Sequence, residues 1–202
     1  MIIKVPNFIH LEVANLLYFH ILKCKERFQL AKELHIYNRS NKNNLAPSWN
    51  NEFGYYRDDK DSNAYAMYSN PIFEDLLDIS TNKVSDIVKL ELVPIYSFIS
   101  LYEKDTLLKK HTDRKECEIS MSLCLGYNPE ETSWPLFIGD QNIKLKAGDA
   151  VIYNGVDSEH WREPFQGINQ AQAFFHWTDK NGFFGDKFKF DGRFFLGYRK
   201  IY

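Results

Sequence analysis

The sequence predicts an α+β fold in which helices come first and a β-sandwich or barrel follows. Apolar residues recur at near-helical spacing over residues 11–34. From about residue 94 the pattern changes to short segments of strand composition, and turn signals such as Asn154-Gly155 separate them. Six or seven short strands with regular turns are typical of a sandwich or barrel.

The first half of the chain contains the helical signals. The spacing over residues 11–34 predicts one or two helices. A further helix is predicted to start at Asn70, because Pro71 suits the first turn of a helix. Residues 87–93 fit more helix or an entering strand equally well, and residues 38–61, rich in Asn, Asp, Lys and Ser, indicate a loop.

The second half of the chain is predicted to form strands. The strand predictions are 95–102, 118–125, 134–138, 141–145, 150–153 and 170–177. We expect residues 1–202 to form a single domain with a helical part (1–91), a β core (92–178) and a C-terminal tail (179–202) packed on that core.

Composition narrows the class of protein. The net charge of -2 and the pI near 6.3 argue against a nucleic-acid partner. No run of 18 apolar residues predicts a membrane span, and the N-terminus does not resemble a signal peptide. Three cysteines without a C-x-x-C pair are typical of reduced thiols, so we expect a cytoplasmic protein.

The sharpest local signal is a possible metal site. In a strand, His111 and Asp113 would point to the same face and offer an imidazole and a carboxylate together. His160 would complete a set of two histidines and one carboxylate, which is diagnostic of non-haem Fe(II) oxygenases. The alternatives are a chance H-x-D pair and an exposed loop histidine at 160. His176 competes as a ligand, although its apolar neighbours favour a histidine buried in the core.

Three motifs together resemble a known family. The segments HTD, GDAVIYNG and HWREPFQG are similar to those of the Fe(II)- and 2-oxoglutarate-dependent dioxygenases, in their prolyl-4-hydroxylase-like branch. As in that branch, Tyr102 precedes His111 by nine residues and Pro164 follows His160 by four. The resemblance covers about residues 92–178 and implies a double-stranded β-helix (jelly roll) with the N-terminal helices packed on the outside.

The resemblance also implies a ligand set and a cosubstrate. His111, Asp113 and His160 would hold Fe(II), and 2-oxoglutarate would chelate the same iron. The family places a basic residue about ten positions after the distal histidine, but this chain has Gln170 there. Arg162 is therefore the predicted anchor for the distal carboxylate of 2-oxoglutarate, since an arginine matches a carboxylate well.

Other residues are expected to complete the cosubstrate pocket. Tyr102 would add a hydrogen-bond donor, Arg114 is a second candidate for the anchor, and Gln170 is a further cofactor-binding candidate that would take over the anchor role if Arg162 did not have it. Ser120 and Ser122 share one face of a predicted strand, which we expect to line the barrel near the cosubstrate.

The implied activity is hydroxylation of a C–H bond in a prolyl or other amino-acid residue, or in a small amino-acid-like substrate. O2 and 2-oxoglutarate would be consumed through a ferryl intermediate, with release of succinate and CO2. The substrate would be a small molecule, protein or peptide, with no nucleic-acid or membrane partner. The alternatives are a non-catalytic, cupin-like jelly-roll binding module, and a metal enzyme that does not use 2-oxoglutarate.

Overall fold

Two antiparallel sheets packed face to face form the centre of the protein. The structure is a computed structural model that describes residues 1–34, 52–57, 64–129 and 134–198. Its elements in chain order are β1 (Ile2–Val5), α1 (Leu11–Glu33), β2 (Tyr55–Arg57), β3 (Ala64–Tyr68), α2 (Pro71–Val88), β4 (Leu92–Glu103), β5 (Leu108–His111), β6 (Ile119–Asn128), β7 (Leu136–Ile138), β8 (Gln141–Ile143), β9 (Ala150–Tyr153), β10 (His160–Arg162), β11 (Asn169–Asp179) and a 3-10 segment, η1 (Gly185–Gly192).

The sheets differ in size and in what covers them. The larger sheet has the strand order β1-β9-β6-β11-β4-β3-β2, and the smaller has the order β5-β10-β7-β8. Because side chains alternate along a strand, each strand of the larger sheet presents one face to the helices and the other to the smaller sheet. On β11, Ala173 and Phe175 belong to the core shared with the helices. Phe174 points to the opposite face of the sheet and belongs to a separate cluster that includes Trp134.

Helix α1 is a single long helix because its apolar positions repeat at helical spacing. The buried residues are Ala14, Leu17, Ile21, Cys24, Phe28 and Ala31. Their separations of three and four residues place them in one stripe. This stripe packs on the outer face of the larger sheet, which confirms the helices predicted on the outside of the β core.

Helix α2 begins where the sequence signals predict it. Asn70 is the N-cap, and its side-chain oxygen accepts a hydrogen bond from the backbone N–H of Ile72 at 3.2 Å. Pro71 occupies the first turn, where its missing N–H costs nothing. The helix ends before Lys89, which adopts a left-handed conformation. Residues 87–93 are therefore the end of α2 and the start of β4.

The C-terminal tail is held to the body by a buried ion pair. Nη2 of Arg193 lies 2.8 Å from Oε2 of Glu74 on α2, and both side chains are fully buried. Oε1 of Glu74 also accepts hydrogen bonds from the backbone N–H and the hydroxyl of Ser97 on β4. The segment η1 itself lies against β4 and β11.

Parts of the sequence-based prediction need correction. The segment 1–91 is not only helical, since β1, β2 and β3 belong to the larger sheet. These strands have three to five residues, too few to establish a period of two. Most of the loop predicted at 38–61 lies outside the described residues, and its described part contains β2. The division into a single domain with boundaries at residues 91 and 178 stays a prediction.

Candidate metal centre

Strand pairing brings the two predicted histidine ligands together. His111 is the last residue of β5 and His160 the first of β10, and they lie opposite each other in the antiparallel pair. Their ring centroids are 4.3 Å apart. His160 is almost fully buried, with 3% of its surface exposed, whereas His111 is partly accessible. The loop histidine proposed as an alternative for position 160 is therefore wrong, because His160 is a buried strand residue.

The backbone orients both imidazole rings in the same way. Nδ1 of His111 lies 2.7 Å from the carbonyl oxygen of Lys109, and Nδ1 of His160 lies 2.9 Å from that of Ser158. A carbonyl oxygen only accepts, so each Nδ1 donates its hydrogen. The lone pair of each neutral ring is then at Nε2, which is the form that a metal-binding histidine needs.

Asp113 reaches the histidines from outside the strands. Strand β5 ends at His111, so the same-face geometry expected for an H-x-D pair within a strand does not apply. Instead, the backbone N–H of Asp113 donates to the carbonyl oxygen of Gly155 at 2.9 Å. Its Oδ1 lies 3.7 Å from Nε2 of His160, and its Oδ2 accepts a hydrogen bond from the Ser120 hydroxyl at 2.6 Å.

Gly155 makes this approach possible because it has no side chain. A Cβ atom built at position 155 would overlap both Oδ2 of Asp113 and Oγ of Ser120. The glycine of the Asn154-Gly155 turn therefore also allows the Asp113 carboxylate to pack closely against the backbone at position 155.

The three side chains form a set of donors suited to a metal ion. One ligand atom from each of His111, Asp113 and His160 lies within 4.8 Å of the other two. Two imidazole nitrogens and one carboxylate oxygen, which leave other coordination positions open, are the donor set of the non-haem iron facial triad. The residues present thus fit an Fe(II) ion.

Burial and charge set the protonation of the residues around this set. Burial raises the pKa of Asp113, but His176, His160 and the Ser120 hydrogen bond together outweigh it, and the pKa lies below its usual value. Burial lowers the pKa of His176 to about 4, although the charge of Asp113 opposes this. At neutral pH the carboxylate is therefore ionised and His176 is neutral.

Arg162 points into the space between the sheets. It follows His160 by two residues on β10, and 2% of its surface is exposed. Its Nη1 donates to the carbonyl oxygen of Trp134 at 2.6 Å, and its guanidinium carbon lies 4.8 Å from the centre of the Trp134 ring. A buried guanidinium on the same strand as His160 is well placed to recognise an anion near the metal set.

Tyr102 and Gln170 face each other across β4 and β11 beside the same tryptophan. They are paired in the register of the two strands, and both are buried. The rings of Tyr102 and Trp134 meet edge to face at 4.8 Å. Oε1 of Gln170 is buried and has no hydrogen-bond partner among the described residues. A buried acceptor of this kind is expected to receive a hydrogen bond from a water molecule or from a donor group of a bound molecule.

Arg114, the second anchor candidate, forms ion pairs with acidic side chains. Its guanidinium is within 3.3 Å of Glu116 and within 3.2 Å of Asp191 in the tail, and it lies over the ring of Tyr96. These contacts direct Arg114 toward η1, so the structure does not support it as an anchor.

Two further residues pack around the centre: Tyr153, which the sequence did not indicate, and His176, which is the buried histidine that its apolar neighbours favoured. Tyr153 packs edge to face on His160 at 5.0 Å, and its pKa is raised by burial and by the nearby charge of Asp113. His176 lies in the shell around the carboxylate, where its Nδ1 is 3.0 Å from Ser120. The inward alternation of Ser120 and Ser122 is the signal that could have identified this hydrogen-bonded shell.

Comparisons with known proteins identify the fold. No protein-family model matches the chain, and neither does any curated protein sequence. The structure is similar to a prolyl-4-hydroxylase from Pseudomonas putida, with a TM-score of 0.60, 14% identity, and coverage of 90% of this chain and 93% of that one. A viral collagen prolyl hydroxylase from Paramecium bursaria Chlorella virus-1, in its 2-oxoglutarate complex, gives a TM-score of 0.57 at 12% identity, covering 88% and 96%.

A third similar structure is not named as a prolyl hydroxylase. HygX from Streptomyces hygroscopicus, with nickel and 2-oxoglutarate bound, gives a TM-score of 0.58 at 11% identity, covering 88% of this chain and 82% of HygX. At such identities the likeness establishes the fold. The predicted α+β double-stranded β-helix is therefore confirmed, as is the predicted resemblance to the folds of prolyl hydroxylases and 2-oxoglutarate oxygenases.

Among the described residues, no helix is long and apolar enough to cross a membrane.

Proposed function

We propose that the protein is an Fe(II)- and 2-oxoglutarate-dependent dioxygenase that hydroxylates a C–H bond. The observation that carries the proposal is the convergence of His111, Asp113 and His160 within 4.8 Å. It occurs in a double-stranded β-helix whose similar structures include 2-oxoglutarate complexes. Neither the fold nor the cluster alone would be sufficient, because folds host many functions and clusters of titratable side chains are common.

The three residues would hold the metal through Nε2 of each histidine and one oxygen of the aspartate. Iron in such a set supplies redox chemistry with O2, which couples the oxidation of 2-oxoglutarate to succinate and CO2 with the hydroxylation of the substrate. The chain's own contribution is to orient the ligands. The carbonyl oxygens of Lys109 and Ser158 fix the two rings, and burial of His160 limits the access of water.

Arg162 would bind the distal carboxylate of 2-oxoglutarate. Support comes from its burial, its position on the same strand as His160, and the packing of its guanidinium on Trp134. Tyr102 and Gln170, which are paired across β4 and β11, would line the same end of the pocket. A single arginine that forms two hydrogen bonds would replace the basic residue that the family resemblance predicts at position 170.

The substrate class is the finer part of the proposal. We propose a prolyl or other amino-acid residue, or a small amino-acid-like molecule. Two of the similar structures are named as prolyl hydroxylases, while another is HygX with hygromycin B bound. The cytoplasmic location also stays a proposal, supported by three buried cysteines that form no disulfide.

Turnover without the substrate tests the proposal. If the proposal is right, Fe(II), ascorbate and 2-oxoglutarate should give slow succinate formation and O2 consumption even without a hydroxylation target, with ascorbate as the reductant. N-oxalylglycine, a cosubstrate mimic, should suppress both. Metal binding without succinate formation would favour a metal enzyme of another kind, and failure to bind metal would favour the non-catalytic binding module.

A further inference from the structure

A chain of two hydrogen bonds ends at Asp113, one of the proposed metal ligands, on the carboxylate oxygen that is not the one close to His160. The Ser120 hydroxyl lies 2.6 Å from Oδ2 of Asp113, and the same hydroxyl lies 3.0 Å from Nδ1 of His176. Ser120 is fully buried, and 5% of the surface of His176 is exposed. Both residues lie on neighbouring strands of the larger sheet, where they are paired in register.

Counting the protons assigns a direction to both hydrogen bonds. The carboxylate can only accept, so the one hydrogen of the Ser120 hydroxyl is donated to Oδ2 of Asp113. The hydroxyl oxygen must then accept from His176, whose Nδ1 carries the hydrogen. The direction of donation therefore runs from His176 through Ser120 to the carboxylate.

The surrounding residues hold this chain in place. The His176 ring is stacked on Tyr96, with centroids 4.6 Å apart and an angle of 29° between the planes. On the other side, the backbone of Gly155 lies close to both the Asp113 carboxylate and the Ser120 hydroxyl, so neither group can move toward it. Asp113 is thus fixed with Oδ2 toward Ser120 and Oδ1 toward His160.

We propose that Ser120 and His176 are positioning residues, which commit Oδ2 of Asp113 to a hydrogen bond and present Oδ1 to the metal. The inference rests on the proposed function, because it concerns the same metal. An aspartate held in this way occupies one coordination position instead of two. One position more then stays available to the cosubstrate and to O2.

Cobalt(II) binding to the metal-free protein tests this inference without turnover. Ser120→Ala removes the hydroxyl, and His176→Phe removes the donor while keeping a ring against Tyr96. Ser120→Ala should weaken Co(II) binding by roughly 10- to 100-fold, the usual effect of losing a partner of a metal ligand. It should also change the visible Co(II) spectrum, since Oδ2 of Asp113 becomes available to the ion. His176→Phe leaves the Ser120 hydroxyl able to donate to Oδ2 but without its orienting partner, so it should weaken Co(II) binding less than Ser120→Ala does.

Two further variants separate positioning from folding. Ser97→Ala removes another buried hydroxyl that donates to a buried carboxylate, that of Glu74 at 2.7 Å. It should lower stability and leave the affinity and spectrum of Co(II) unchanged. His176→Asn keeps a short side chain with an N–H donor, and it should bind Co(II) more tightly than His176→Phe.

The outcomes are distinct. Wild-type affinity and spectrum in folded Ser120→Ala would overturn the inference while leaving the proposed function intact. Equal losses in His176→Asn and His176→Phe would overturn the role of His176, because packing alone would explain them. A wild-type protein that bound no Co(II) would overturn the proposed function, and this inference with it.

Discussion

His111 and His160 are 49 positions apart in the sequence, yet they are direct partners in the antiparallel pair of β5 and β10, with ring centroids 4.3 Å apart. Each ring is oriented by the carbonyl oxygen two residues before it, at Lys109 and Ser158. Strand register and backbone hydrogen bonds therefore fix the positions of these two candidate metal ligands and the orientation of their rings.

Removing any one of the three ligands should abolish tight Fe(II) binding. His111→Ala, Asp113→Ala and His160→Ala each leave two donors, too few to hold the ion in a defined geometry. Anaerobic equilibrium dialysis with Fe(II) measures the loss. His10→Ala is the control, because His10 is exposed and makes no side-chain capping bond. Wild-type affinity in any ligand variant would remove that residue from the set.

Arg162 should determine affinity for 2-oxoglutarate with little effect on the metal. Arg162→Lys replaces two directed hydrogen bonds by a point charge, so we expect a loss of about 1.5–3 kcal/mol, or roughly 10- to 150-fold in Kd. Isothermal titration of the Mn(II)-loaded protein with 2-oxoglutarate gives this value directly.

Arg114→Lys is the matched control for that experiment. Arg114 is paired with Glu116 and Asp191, so its replacement should leave the Kd of 2-oxoglutarate unchanged. The reverse pattern, with Arg114→Lys weakening binding and Arg162→Lys not, would move the anchor to Arg114.

A methyl group at position 155 should disturb the metal set. Gly155→Ala places a Cβ atom against Asp113 and Ser120, both of which are held from other sides. We expect at least tenfold weaker Co(II) binding. Gly139→Ala is the comparison, since its Cβ meets no atom within 4 Å and its cost, about 1 kcal/mol, comes from the backbone angle of +56°. Unchanged Co(II) binding in Gly155→Ala would show that the carboxylate can shift without consequence.

Breaking the buried ion pair of the tail should strongly lower stability. Arg193→Met leaves the carboxylate of Glu74 buried without its charged partner, which costs about 3–5 kcal/mol. Urea denaturation measures the free energy of unfolding. Lys180→Met removes an exposed ion pair with Glu91, which water screens, and should therefore cost far less. Equal costs in the two variants would contradict the role assigned to the Arg193 pair.

The cysteines should be unreactive in the folded protein. Burial raises the pKa of Cys117 and of Cys124 to about 12, so at pH 8 almost no thiolate is present at either position. Burial also raises the pKa of Cys24. Ellman's reagent should therefore react slowly with native protein at pH 8 and label all three cysteines in denaturant. Fast labelling of native protein would show that a thiol is accessible.

Local patterns predicted the elements that are long enough to show a period. The 23-residue helix α1 and the alternating strand β6 each contain several repeats of their apolar pattern, and β11 contains an 11-residue run of strand composition. The three-residue strands β2 and β10 contain too little sequence for such a pattern. Their strand geometry comes from the neighbours with which they pair.

The part of the candidate site that depends on short sequence motifs could be predicted. The part that depends on which distant segments pack against each other could not. The proposed ligands follow from H-x-D and a distal histidine. The hydrogen bonds of Ser120 and His176 depend instead on the register between β6 and β11. The commitment of Arg114 to Asp191 likewise depends on where the tail packs, which its sequence does not show.

An anaerobic titration of the metal-free protein with Fe(II), followed by 2-oxoglutarate, is the sharpest test of the metal centre and its cosubstrate. We expect a visible metal-to-ligand charge-transfer band that appears only when both are present, and that is lost in His160→Ala. Tight Fe(II) binding without this band would contradict the assignment of 2-oxoglutarate. Absence of Fe(II) binding would contradict the metal centre itself.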